Sequence, residues 1–120
     1  MLIEVLKCKI HRAVVTAHSV DYEGSITIDE SLIRAAGLIE HEKVHVFDIN
    51  NGERFVTYVI KAPAGSGVIC VNGAAAKLVE TGDLVIIAAF ASAEPAEAAK
   101  IKAKIILVDS SNRPVKAGGK

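Results

Sequence analysis

Apolar and polar residues alternate along much of this chain. From Leu2 to Thr16 the apolar side chains of Ile3, Val5, Cys8, Ile10 and Val14 are spaced among charged ones, which predicts one or two half-buried strands. Ser25–Asp29 (SITID) alternates strictly and is β-branched, so it reads as a short strand. Asp29 is a good N-cap for a short helix over Glu30–Ala36, and Gly37 a good stop. Lys43–Ile49 and Glu53–Ile60 are paired strands around the turn Asn50-Asn51-Gly52. Ala62–Gly67 is a Pro/Gly loop. Two fully apolar stretches, Val68–Val71 and Leu84–Phe90, read as buried strands. Ala74–Val79 and Glu94–Lys100 read as brief helices, Ile101–Val108 as a last strand, and the chain from Asp109 as a polar, frayed tail. Many short strands with a few tiny helices predict one small closed β-barrel over residues 1–120.

Composition narrows the function more than the fold. The 120 residues carry 14 basic and 14 acidic side chains, so the formal net charge is zero. That balance gives no electrostatic basis for a nucleic-acid partner or an anionic membrane. No stretch approaches the roughly 18 continuous apolar residues of a membrane span, and Glu4, Lys7 and Lys9 interrupt the N-terminus as no signal peptide allows; the expectation is a cytoplasmic protein. Cys8 and Cys70 are too few for a disulfide framework or a zinc site and read as small buried hydrophobes. The four histidines have no metal-ligand spacing. No glycine-rich phosphate loop opens a helix, which argues against pyridoxal phosphate.

The residues with chemical potential are ordinary one at a time. Gly24-Ser25 is a turn before a strand. Lys9 and His11 share one strand face by alternation, with Arg12 opposite. Arg54 and Tyr58 share a face of another strand, with Thr57 on the reverse. Asn72-Gly73-Ala74-Ala75-Ala76 is a tight turn running into a helix.

As a set, the runs Lys9-Ile10-His11-Arg12, Tyr22-Glu23-Gly24-Ser25, Asn51-Gly52, Arg54, Thr57-Tyr58, Gly65-Ser66, Asn72 to Ala76 and Gly82-Asp83 match in order and spacing. In them the chain resembles the pyruvoyl-dependent aspartate 1-decarboxylase family from about Leu6 to Val108. Phe47, where many members have Trp, and Ala64, where many have a basic residue, depart from the pattern. The resemblance implies a mainly β fold, a six-stranded double-psi β-barrel, and a homotetramer with active sites between subunits. It implies self-cleavage between Gly24 and Ser25 into 1–24 and 25–120, and allows for a maturation factor. Ser25 then becomes a covalent pyruvoyl group whose ketone condenses with the substrate amine, with no metal and no pyridoxal phosphate. The implied product of L-aspartate is β-alanine, a precursor for pantothenate.

The residue types suit that chemistry. Glycine before the scissile bond permits a conformation that a Cβ would forbid. Ser25 Oγ attacks the Gly24 carbonyl, and the oxyanion formed wants a donor, a role the resemblance gives to Thr57. Tyr22, Glu23, His11 and Asn72 are candidate helpers in processing. Arg54 offers a bidentate fork for one substrate carboxylate and Lys9 a charge for the other. The resemblance makes Tyr58 the proton donor after CO2 departs. The backbone N–H groups of Gly73, Ala74 and Ala75 would hold substrate oxygen. Three rival readings stay open: a non-catalytic barrel used for binding or assembly, a DNA-binding barrel of the transition-state-regulator kind, and a pyruvoyl decarboxylase for another amino acid.

Overall fold

The computed structural model describes residues 1–115. Nine strands and three short helices follow one another as β1 (Ile3–Val14), β2 (Ala17–Ser19), β3 (Ser25–Asp29), α1 (Glu30–Ala36), β4 (Lys43–Asp48), β5 (Arg54–Ala62), β6 (Ile69–Asn72), a 3-10 helix (Gly73–Leu78), β7 (Leu84–Ala93), α2 (Pro95–Ala98), β8 (Lys104–Val108) and β9 (Pro114–Val115). The mainly β class with short helices is therefore as expected. None of these helices is long and apolar enough to cross a membrane.

The strands hydrogen-bond in the order β2-β6-β3-β5-β4-β7-β1-β8-β9. Only Val15 and Thr16 separate β1 from β2, so one stretch of chain holds two distant places in that order. Val15 N–H donates to Asp83 O and Thr16 N–H to Ile69 O, tying the break to the residue before β7 and to the first residue of β6. Parallel pairings join β1 to β8, β2 to β6 and β3 to β5; the rest are antiparallel.

The inner face follows directly from the alternation. Ile10, Val15, Ile26, Ile28, Val44, Val46, Val59, Ile69, Val71 and Val85 are fully buried in one cluster, roofed by Leu32 and Ile33 of α1. Arg12 departs from the alternation. Ile10 pairs with Ile87 and Ala13 with Val85, so β1 carries one extra residue there, and Arg12 takes a positive φ of 66°. The bulge turns the exposed guanidinium outward instead of placing it opposite His11 on the core side, where an unpaired charge would cost several kcal/mol.

The polar tail is a second correction. Asp109 Oδ1 accepts from the N–H groups of Ser111 and Arg113, and the turn leads into β9. Asn112, 1% exposed, accepts from Val14 N–H and donates to Val14 O and Gly67 O. Asparagine carries both donor and acceptor and can satisfy the two backbone groups that β1 leaves open. Residues 116–120, the rest of the expected tail, lie outside the described residues.

Asp29 fixes the exit of β3. Its carboxylate caps α1 through the N–H and hydroxyl of Ser31 and also accepts from Gly65 and Gly67 N–H. Burial pushes its pKa up, but these hydrogen bonds from Ser31, Gly67 and Gly65 outweigh burial and hold it below the ordinary 3.8. A depressed carboxyl pKa stabilises the fold above the unfolded-state value, and the contribution is lost as pH falls through the folded one. Asp29→Ala should therefore lower the unfolding free energy by about 2–4 kcal/mol at neutral pH. In urea titrations, that difference from the parent should shrink below pH 3.8.

Candidate active site

Burying Ile26 and Ile28 turns Ser25 and Thr27 onto the outer face of β3. Cross-strand partners share a face, so Ser25 stands with Asn72 of β6, and Thr27 with Cys70 of β6 and Ile60 of β5. A cavity of about 490 Å³ opens there, lined by Tyr22, Glu23, Ser25, Thr27, Tyr58, Ile60 and Asn72. Five of the expected site residues, Tyr22, Glu23, Ser25, Tyr58 and Asn72, are thus brought together.

Ser25 is 6% exposed. Its Oγ accepts from Asn72 Nδ2 at 3.0 Å and donates to Glu23 O at 3.3 Å. The other Asn72 N–H donates to Thr27 Oγ1 at 3.1 Å, and Asn72 Oδ1 accepts from Cys70 Sγ at 3.3 Å. Burial raises the Cys70 pKa, so the thiol keeps its proton. The ring of His41 meets Tyr58 edge-on at 5.9 Å.

The glycine expectation changes places. Gly24 is exposed, its φ is not positive, and a Cβ there would meet nothing within 4 Å. The forbidden Cβ belongs to Gly73, whose φ is 80°. It would lie 2.5 Å from Gly24 Cα and 2.7 Å from Gly24 N. Gly73 is therefore glycine because the chain entering Ser25 rests on it. Ala74 and Ala75 continue the 3-10 helix from that contact.

The remaining residues stand elsewhere. Thr57 pairs with fully buried Val44 and shares its inner face, as the alternation on β5 predicts. Lys9, Ala88 and His45 form one cross-strand row on the outer face of β1, β7 and β4, and Phe47 pairs with Arg54 two places along. The exposed Arg54 guanidinium stacks 4.6 Å from the centre of the Phe47 ring. His11 lines a separate cavity of about 250 Å³ beside Arg12 and Leu107. Its buried Nδ1 has no hydrogen-bond partner among the described residues; burial, then the Lys9 and Arg12 charges, lower its pKa.

Sequence reasoning passed over Thr27, Cys70 and Ile60. The signal for Thr27 was present, because a residue two places along a strand shares the face of Ser25.

An aspartate decarboxylase family model matches residues 1–115. The aspartate 1-decarboxylase of Caldicellulosiruptor saccharolyticus is 58% identical over 120 residues, spanning 100% of this chain and 94% of the relative. That of Lactiplantibacillus plantarum is 55% identical, spanning 97% and 89%. Among solved structures, a rationally designed DPBB protein matches 64% of this chain and 90% of its own, with 16% identity and a TM-score of 0.49. The chain belongs to the aspartate decarboxylase family.

Gly73→Ala should disturb the approach to Ser25 while the core persists. If the chain cleaves itself at Gly24–Ser25, as the resemblance implies, fragments resolved on a denaturing gel should form at least tenfold more slowly, on the order expected for an ångström-scale displacement of a reacting group.

Proposed function

We propose that this chain decarboxylates L-aspartate to β-alanine and CO2 with a pyruvoyl group made from its own Ser25. The observation that carries the reading is the setting of Ser25: buried, preceded by Gly24, hydrogen-bonded to Asn72, and beside Tyr58 in one cavity. It occurs in a chain 58% identical to a named aspartate 1-decarboxylase.

Maturation is chemistry of the chain itself. Ser25 Oγ bonds to the Gly24 carbonyl carbon, the Gly24–Ser25 C–N bond breaks, and the freed nitrogen takes a proton in exchange for the one Oγ gives up. The ester then loses the Ser25 Cα proton as its Cβ–O bond breaks. Gly24 departs as a carboxylate and dehydroalanine remains; its imine tautomer is hydrolysed by water to the ketone and ammonia. Ile26 pairs with Val59 in parallel, so Thr57 lies two residues back along β5, toward the end from which the Gly24 segment enters β3. That favours the Thr57 hydroxyl as donor to the oxyanion. A maturation factor, where one acts, speeds this step.

The group so formed would fit its surroundings: an open cavity with the Asn72 amide directed at position 25 and the Tyr58 side chain in its lining. Once formed, it supplies an electron sink for carbon–carbon bond cleavage, which no ordinary side chain offers. Tyr58 gives its phenolic proton to the carbon that CO2 leaves. The N–H groups of Gly73, Ala74 and Ala75 are freed for substrate oxygen when Gly24 moves off Gly73.

Aspartate also brings two carboxylates, yet neither Lys9 nor Arg54 lines the cavity. They stand on an outer sheet face with exposed Val56 and Phe90, a face suited to contact with a second copy. A cytoplasmic homotetramer with active sites between subunits accounts for both facts, each cavity receiving its cations from a neighbour.

Intact mass and β-alanine release test the first part. Ser25→Ala should stay a single chain without activity; two fragments from it would remove the mechanism. Tyr58→Phe should mature fully yet turn over about a hundredfold to ten-thousandfold more slowly. Co-expression tests the second part. Ser25→Ala and Arg54→Ala chains, inactive apart, should regain activity as mixed oligomers, and no gain would place the cations in the same subunit as the pyruvoyl group.

A further inference from the structure

We infer that Thr27 and Cys70 are positioning residues for maturation, acting on Ser25 through the side-chain amide of Asn72; the inference rests on the maturation reading above. Asn72 lies directly opposite Ser25 in the antiparallel β3–β6 ladder, and its extended backbone also begins the 3-10 helix. Its backbone is therefore fixed. Its amide is not fixed by that alone, because the terminal torsion of asparagine is broad and roughly two-fold. One bond to Ser25 Oγ would leave the plane free to rock or to reverse.

Three partners remove that freedom. One N–H of Nδ2 reaches Ser25 Oγ at 3.0 Å, the second reaches Thr27 Oγ1 at 3.1 Å, and Oδ1 receives Cys70 Sγ at 3.3 Å. Thr27 pairs with Cys70 in the neighbouring same-face row of the two strands, so both brace the amide from that row while Ser25 lies directly across from Asn72. The thiol serves as donor because burial keeps it protonated. Held in this plane, the amide donates to one lone pair of Oγ. It leaves the Oγ proton directed at Glu23 O and a second lone pair for the Gly24 carbonyl carbon. A reversed amide would accept the Oγ proton instead and occupy a different side of the nucleophile.

Neither Thr27 nor Cys70 touches the Gly24 carbonyl, so their effect should depend on Asn72. The experiment follows fragment formation by the full-length chain over time on denaturing gels, with thermal unfolding of each variant as the fold control. Thr27→Val, which keeps shape and loses only the hydroxyl, should slow maturation about tenfold to a hundredfold, and Cys70→Ala less. Thr27→Ser and Cys70→Ser restore a hydroxyl and should recover most of the rate. In an Asn72→Ala background neither Thr27→Val nor Cys70→Ala should slow maturation further, the mark of groups acting through one side chain. Parental rates in both Thr27→Val and Cys70→Ala, or the same slowing with and without Asn72, would overturn the inference. Fragments from Ser25→Ala would instead overturn the maturation reading itself, and this inference with it.

Discussion

Ile26 has no exposed surface, and its burial between Val59 and Val71 decides where the chemistry can be. A strand has a side-chain period of two, so burying Ile26 and Ile28 forces Ser25 and Thr27 to the opposite face. A slip of one residue would carry Ser25 into the core and an isoleucine into the cavity. The β3–β5 and β3–β6 ladders prevent that slip from both sides, and Asp29 locks the far end of β3 to α1 and to the loop at Gly65–Gly67. Ser25 is thus held by hydrophobic register, at a cost that the core would bear whether or not Ser25 did anything.

The same sheet leaves Lys9 and Arg54 outside the cavity that Ser25 lines. Ser25, Asn72 and Tyr58 share one outer face; Arg54 lies four residues from Tyr58 along β5, and Lys9 lies further off, across β4 and β7. Within one chain neither Lys9 nor Arg54 lines the cavity, while Val56 and Phe90 leave apolar surface exposed beside them. On the proposed reading, assembly would complete the site by bringing the substrate's charge its partners.

Much of this was legible in the sequence, for stated reasons. SITID and the Asp29/Gly37 pair predicted β3 and α1 with their true bounds, because alternation and capping are local effects. Alternation also placed Thr57 opposite Tyr58. The failures are tertiary. Nothing local announces the bulge at Arg12, which exists because the inner face cannot take a guanidinium. Asn112 reads as part of a polar tail until Val14 and Gly67 are known to lack partners. Gly24 looked like the glycine that conformation demands, whereas the demand falls on Gly73. That contact joins residues far apart in sequence, and no spacing rule reveals it.

A cut between Gly24 and Ser25 divides the chain where the fold loses least. Ser25 begins β3, and the exposed segment Tyr22–Gly24 contributes no strand to the sheet. The 1–24 fragment still holds β1 and β2, which pair with β7, β8 and β6 along their lengths. It inserts Cys8, Ile10, Ala13 and Val15 into the core, and burying a side chain such as Ile10 or Val15 contributes about 1.5–3 kcal/mol. If the chain is cut there, as proposed, only the few residues that rest on Gly73 would be released. A site that must first hold a peptide rigidly and later admit a free amino acid can be built in one place only if the piece that moves is not part of the sheet. In this chain that piece ends one residue before the strand begins.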